Sequence, residues 1–131
     1  MRWSTATMAA ALLAIAGCAD PSPRAQIVLA YDTFAAAAQT ATDLYREGAM
    51  TGEQFARVRI TCRVVLAGIR EAERALHLAE MEPAGPGRDA LSARAATGLR
   101  VATAALAELR QEIALAAARG PATQPAQEPD P

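Results

Sequence analysis

The chain has few of the side chains from which catalytic and metal centres are built. Its 131 residues include one His and two Cys, and they contain no Lys and no Asn. Aromatic residues are limited to two Phe, two Tyr and one Trp. We find no Gly-rich phosphate loop after a strand and no Ser, His and acid set with a plausible base. The sequence therefore predicts a protein that is not an enzyme and that holds no metal and no cofactor.

Large aliphatic side chains are scarce as well. Val, Ile, Leu and Phe together number 24, whereas Ala alone contributes 35 residues to a hydrophobic fraction of 52%. Ala is the strongest helix former, so this composition predicts a small, all-α protein with a thin core. The formal net charge of −1 gives no reason to expect nucleic acid as a partner.

Residues 1–17 have the pattern of an export signal. Arg2 supplies a positive charge, and residues 8–16 form an apolar run without charged or hydroxyl side chains. A membrane-spanning helix needs roughly 20 apolar residues, so this run is too short to cross a bilayer. We expect residues 1–17 to be a cleaved signal peptide.

The apolar run ends in Ile15, Ala16, Gly17 and Cys18, an aliphatic residue and two small residues before a cysteine. This tetrad resembles the bacterial lipobox. The resemblance implies that signal peptidase recognises Ile15, Ala16 and Gly17, and that the Cys18 thiol carries diacylglycerol. The membrane would then be a partner through this covalent lipid, on the periplasmic side of the envelope. An ordinary secretory signal with a chance Cys, or an uncleaved anchor, is the alternative.

The residue after the modified cysteine indicates which membrane is involved. Ala19 stands there in place of Asp. Under the sorting rule of enteric bacteria this favours the outer membrane over the inner one. Residues 18–22 would form a short tether between the lipid and the folded body.

Three segments repeat apolar residues at spacings of three and four, which predicts helices over about 23–47, 52–82 and 89–119. Capping residues support two of the starts: Ser22 precedes a Pro, and Thr51 has Gln54 three residues later. The alternating β-branched residues 58–64 also fit a strand, but the helical repeat continues beyond them, so helix is preferred.

Short connections between consecutive helices favour antiparallel neighbours. The expected fold of residues 23–119 is therefore an all-α, antiparallel three-helix bundle with coiled-coil-like apolar stripes. Residues 120–131 are rich in Pro and lack large aliphatic side chains, so we expect a disordered C-terminal tail.

The segment Leu44–Phe55 resembles the short C-terminal (SHOCT) helical-hairpin motif of bacterial proteins. Capping chemistry alone generates this pattern, so the resemblance implies a helix–turn–helix and no particular function. The whole chain is also similar in type to small Ala-rich lipoproteins of bacterial chromosomes and prophages.

Two groups on the second helix are candidate binding surfaces. Ile60, Val64 and Leu66 lie off the main apolar stripe, either because a central helix touches both neighbours or because another subunit docks there. Four arginines follow a helical stripe that is either a solvated face or a contact for anionic lipid and other envelope phosphates: Arg59, Arg63, Arg70 and Arg74.

Cys62 and His77 are the remaining chemically distinctive residues. Cys62 lies on the apolar stripe, so it is expected to be a buried hydrophobic residue, with a disulfide across a homodimer as the alternative. His77 has Glu73 and Glu80 nearby, but these ligands are too few for a usual zinc site, and a solvated His is expected.

These features favour a membrane-anchored, non-enzymatic lipoprotein that serves as an envelope structural or protein-interaction element. Its partner would be an unknown protein or a second copy of the chain. The alternative is a prophage lysis or host-interaction lipoprotein. A periplasmic ligand or metal sensor is a third hypothesis, and the shortage of ligand residues disfavours it.

Overall fold

The structure is a computed structural model that describes residues 21–120, and all regular structure in this range is helical. Helix α1 spans Pro23–Arg46, α2 spans Gly52–Met81 and α3 spans Pro86–Arg119. The predicted signal peptide, the Cys18 site and the tail from residue 121 lie outside the described range.

Local capping chemistry sets the ends of α1 and the start of α2. The hydroxyl of Ser22 accepts a hydrogen bond from the backbone N–H of Ala25 at 3.2 Å, with Pro23 in the first helical position. Thr51 and Gln54 form the complete capping box. After α1 the chain turns at Gly48, whose φ of +76° is the left-handed conformation that glycine adopts without strain.

Helix α3 begins at Pro86, three residues before the predicted start at residue 89. The connection between α2 and α3 is therefore only the segment 82–85. Proline is compatible with the first turn of a helix because the N–H that it lacks would have no helical partner there. Helix α2 is continuous through residues 58–64, so the helical prediction for this segment is confirmed over the strand alternative.

Helices that follow each other along the chain run in opposite directions. Between α1 and α2, Tyr31 contacts Glu73 near one end, and the ring of Tyr45 stacks on that of Phe55 near the other. Since the partner number falls as the α1 number rises, the two helices are antiparallel. Helices α2 and α3 are antiparallel too and share by far the most extensive contact, whereas α1 makes a smaller contact with each of them.

The closest approach between α2 and α3 is a reciprocal crossing of two glycines. A Cβ atom on Gly68 would lie 2.9 Å from the carbonyl oxygen of Gly98 and 3.1 Å from the Cβ of Ala102. A Cβ atom on Gly98 would lie 2.8 Å from the carbonyl oxygen of Gly68 and 3.2 Å from the Cβ of Ala72. Backbone therefore packs directly against backbone, as small residues permit.

The core follows the predicted stripes and is built largely from alanine. Its largest fully buried side chains are Ile69, Leu109, Val58 and Val65. No polar or charged residue in the range 21–120 is buried. Small side chains bury little area each, but they let the helices approach closely, so packing density offsets part of the missing volume.

Candidate interaction surfaces

The predicted patch on α2 is mostly exposed. Ile60 is 60% exposed and Val64 is 45% exposed, while Leu66 is half-buried. Contact with two neighbouring helices therefore does not explain why Ile60 and Val64 are apolar. Docking of another subunit remains as a hypothesis for these two positions.

Val64 belongs to a larger surface on the α2–α3 hairpin, which we call the outer face. We define it by four residues on each helix, spaced seven apart. They are Arg57, Val64, Glu71 and Leu78 on α2, and Arg94, Val101, Glu108 and Leu115 on α3. The two helices thus present the same order of side chains, Arg, Val, Glu and Leu. Exposure matches between the two rows, with 45% for Val64 against 46% for Val101, and 42% for Leu78 against 47% for Leu115.

The two rows of the outer face lie side by side, on the side of the hairpin turned away from α1. Arg94 donates a hydrogen bond to the carboxylate of Glu71, which joins one row to the other. Glu73 and Glu80, which bind α1, each lie two residues beyond a member of the α2 row. Two residues correspond to about 200° around an α-helix, so the row points away from α1.

The outer face is not visible in the pattern of α2 alone. Its signal was the repeat of Arg, Val, Glu and Leu at intervals of seven in both helices. A second repeat was missed as well, at the glycine crossing. Residues 68–76 and 98–106 share Gly, Arg, Ala, Ala and Leu at matching places. These internal repeats explain why the two helices meet through equivalent residues.

The four arginines of the predicted stripe, Arg59, Arg63, Arg70 and Arg74, are all exposed. Their numbering places them within about 60° of one another around α2. Arg74 lies 3.7 Å from the carboxylate of Glu71, and no carboxylate among residues 21–120 forms an ion pair with the other three. The stripe is therefore a mainly uncompensated basic strip, apart from its last member.

The most polar cluster joins the start of α1 to the end of α2. The guanidinium of Arg24 donates two hydrogen bonds to the carboxylate of Glu80, one of them at 2.8 Å. These bonds hold the pKa of the Glu80 carboxyl below its usual range. Burial, with the neighbouring Glu73 carboxylate, raises the pKa of the Tyr31 hydroxyl. Solvent reaches these groups, so the cluster orients α1 and adds little stability.

His77 lines an open cleft of about 320 Å³ next to this cluster, between α1 and α2. Across residues 21–120, no three His, Cys, Asp or Glu side chains come together as metal ligands. Two further depressions, of about 820 and 540 Å³, are lined mainly by Ala and Thr of α1 and α3. None of the three gathers the set of acid, base and nucleophile that catalysis requires.

Cys62 packs against the core, as its place on the apolar stripe predicts, but it is half-buried where a buried residue was expected. Burial raises the pKa of its thiol, because the charged thiolate is poorly solvated there. The thiolate is the nucleophile in alkylation and disulfide exchange. Cys62 is therefore less reactive in either reaction than a fully solvated cysteine.

Helices long and apolar enough to cross a bilayer are absent from the part of the chain that the structure describes. The chain matches no protein-family model, no curated protein and no solved structure.

Proposed function

We propose that the chain is a membrane-tethered, non-enzymatic lipoprotein of the bacterial envelope that acts by binding another protein. The observation that carries this proposal is the Ile15–Cys18 tetrad at the end of a short apolar run. Lipidation at Cys18 would supply the anchor, since acyl chains contribute about 0.8 kcal/mol for each buried CH₂ group.

The position of the folded body supports a tether of this kind. Helix α1 begins at Pro23, so four residues separate it from Cys18. Four extended residues reach about 14 Å at most. The bundle would then sit directly on the membrane surface, with α1 starting at the lipid.

The surface of the body supports binding as its mode of action. Large apolar side chains are exposed on helical faces, and the polar groups are paired or solvated. Exposed apolar residues gathered on one face are typical of protein-contact sites. A rigid helical body with such faces suits an envelope structural element or an accessory subunit.

Metabolic labelling with palmitate in a bacterial host tests the anchor. The full chain should incorporate palmitate and fractionate with membranes, and globomycin should make the unprocessed form accumulate. Cys18→Ser should abolish labelling, because the hydroxyl cannot form the thioether. Cys62→Ser is the matched control and should label normally. A full chain that is processed without label, in a globomycin-insensitive way, would overturn the proposal.

The membrane is tested separately by density-gradient separation of inner and outer membranes. The labelled chain should be found mainly in the outer membrane fraction, and Ala19→Asp should move it to the inner one. A chain whose distribution ignores residue 19 would contradict the assignment to the outer membrane and leave the lipid anchor intact.

A further inference from the structure

The outer face has the charge pattern of a surface that pairs with itself. In the α2 row, Val64 stands midway between Arg57 and Glu71, seven residues from each. In the α3 row, Val101 stands midway between Arg94 and Glu108. Each row therefore has a positive charge on one side of a valine and a negative charge at the same distance on the other.

A two-fold axis at the level of these valines brings opposite charges together. Most homodimers are two-fold symmetric, and the same surface of each copy must then complement itself. If α2 packs antiparallel on the partner copy's α2, each Arg57 faces the partner's Glu71 and the two Val64 side chains meet. If α2 packs on the partner copy's α3, Arg57 faces the partner's Glu108. Both arrangements pair every Arg with a Glu.

The centre of the outer face is apolar and exposed to solvent, so burying it in a contact would be favourable. Val64 and Val101 are each about half exposed, and Ile60, at 60% exposure, lies beside Val64 on α2. The charged residues of the two rows surround this centre. An apolar centre with a polar rim is the usual anatomy of a protein interface.

We propose that a second copy of this chain packs on the outer face, so that the protein forms a two-fold symmetric dimer centred on Val64 and Val101. This inference rests on the proposed function and names one partner for it. The contact is non-covalent, because Cys62 is half-buried against the core and belongs to neither row of the outer face.

Cross-linking in whole cells that express the full chain, which retain the protein whether or not it is anchored, tests the dimer. The background is Cys62→Ser, and a single new cysteine is placed by Val64→Cys or Val101→Cys. A short bis-maleimide should then yield a species of twice the mass. The matched control is Val28→Cys, because Val28 is equally apolar and 58% exposed but lies on α1. It should yield little of this species.

Charge reversal tests the pairing in the same assay. Arg57→Glu with Arg94→Glu makes all charges of the outer face negative, so the cross-linked species should fall to the level of the Val28 control. Adding Glu71→Arg and Glu108→Arg restores an Arg opposite every Glu and should restore the yield. Circular dichroism of the purified variants should show the same helical content and nearly the same melting temperature, because the Arg94–Glu71 bond within one chain is solvent-accessible and contributes little. A loss of cross-linking without a loss of stability then reports on the contact between copies.

Three results would overturn the dimer: no cross-linking at Val64 and Val101, equal cross-linking at Val28, or cross-links to a different protein only. A charge-reversed pair that still cross-links would overturn it as well. An unlipidated Cys18 would react in every variant, and also in the Cys62→Ser parent that carries no new cysteine. The yield above that parent therefore reports on the outer face, and palmitate labelling reports on Cys18, so the failure of either proposal is recognised separately.

Discussion

Gly68 and Gly98 determine how closely the two longest helices approach. A Cβ atom added to either glycine would lie within 3.0 Å of backbone atoms of the opposite helix. Flexible side chains can move away from an added methyl group, but backbone in the middle of a helix cannot move without displacing its neighbours. The crossing is therefore the most sensitive packing position in the described bundle.

Replacing Gly98 by Ala should destabilise the protein. The new Cβ would lie 2.8 Å from the Gly68 oxygen and 2.9 Å from the Ala72 nitrogen, so α2 and α3 would have to separate. Overpacking of this kind costs about 1–3 kcal/mol, and the better helix propensity of Ala offsets about 1 kcal/mol of it, so the free energy of unfolding should fall by up to about 2 kcal/mol. Urea denaturation followed by circular dichroism measures the loss.

The matched control is Gly87→Ala, in the first turn of the same helix. Its nearest neighbour is a side-chain oxygen of Glu82 at 3.7 Å, an ordinary contact. Here Ala should leave the free energy of unfolding unchanged or raise it by about 0.4–1 kcal/mol. Equal effects of the two substitutions would show that the glycine crossing does not limit the helix approach.

At the residue scale, the sequence predicted burial better than it predicted close approach. Large apolar side chains that repeat with the period of the helix, such as Val65, Ile69 and Leu109, lie in the core. Gly68 and Gly98 carry no side chain and so contribute nothing to such a pattern. Only comparison of the two helices with each other reveals them.

At the scale of single elements, two local interactions stabilise the start of α2. The Thr51 hydroxyl accepts a hydrogen bond from the Gln54 N–H at 3.1 Å, and the Gln54 side chain accepts one from the Thr51 N–H at 2.8 Å. The stacked rings of Tyr45 and Phe55, with centroids 4.4 Å apart, connect the start of α2 to the end of α1. The turn is thereby defined by side chains on both of its sides.

Thr51→Ala should lower the free energy of unfolding by about 1 kcal/mol, because it leaves an N-terminal N–H of α2 without its acceptor. Thermal unfolding monitored by circular dichroism is the measurement. Thr40→Ala serves as the control, since the Thr40 hydroxyl bonds to a carbonyl inside α1, where Ala is the better helix former. If Thr51→Ala were as well tolerated as Thr40→Ala, the capping box would have no part in stability.

The helix ends show why some boundaries are predictable from sequence. Ser22 and Thr51 are side-chain caps, and their chemistry is local to a few residues. Helix α3 starts at Pro86 behind Gly85, which offers no side-chain cap. Its start was therefore predicted at residue 89, after the segment 83–87 whose Pro and Gly content indicates a break, whereas the helix begins inside that segment.

At the scale of the whole molecule, α1 is the most weakly held helix. Its buried residues are one Ile and three Ala, whereas α2 and α3 share most of the large core side chains. Its polar links to α2 are solvated and contribute little. The bundle is thus a tight α2–α3 hairpin with a third helix laid against it.

Native-state hydrogen exchange should show this difference. Amides in the middle of α1 should exchange through a partial opening that needs less free energy than the opening of α2 and α3, because α1 can detach while the hairpin persists. Exchange measured by NMR or mass spectrometry across a denaturant series resolves the two openings. Equal protection of all three helices would mean that the bundle opens as one cooperative unit.

The antiparallel order of the helices followed from short connections, but the outer face did not follow from any single helix. Which side of the hairpin is covered depends on where α1 lies, and this is decided by contacts such as that of Tyr31 with Glu73. Ile60 and Val64 could be recognised as lying off the stripe. Their counterparts on α3 became meaningful only once the two helices were placed together.

The equivalence of the two glycine segments has a consequence for assembly. Because α2 and α3 meet through matching residues, the contact itself does not distinguish a helix of the same chain from the corresponding helix of another copy. The connection of residues 82–85 makes the distinction, since it holds α2 and α3 of one chain at a high effective concentration relative to each other. The length of this connection therefore governs whether α2 and α3 pair within a chain or are exchanged between chains.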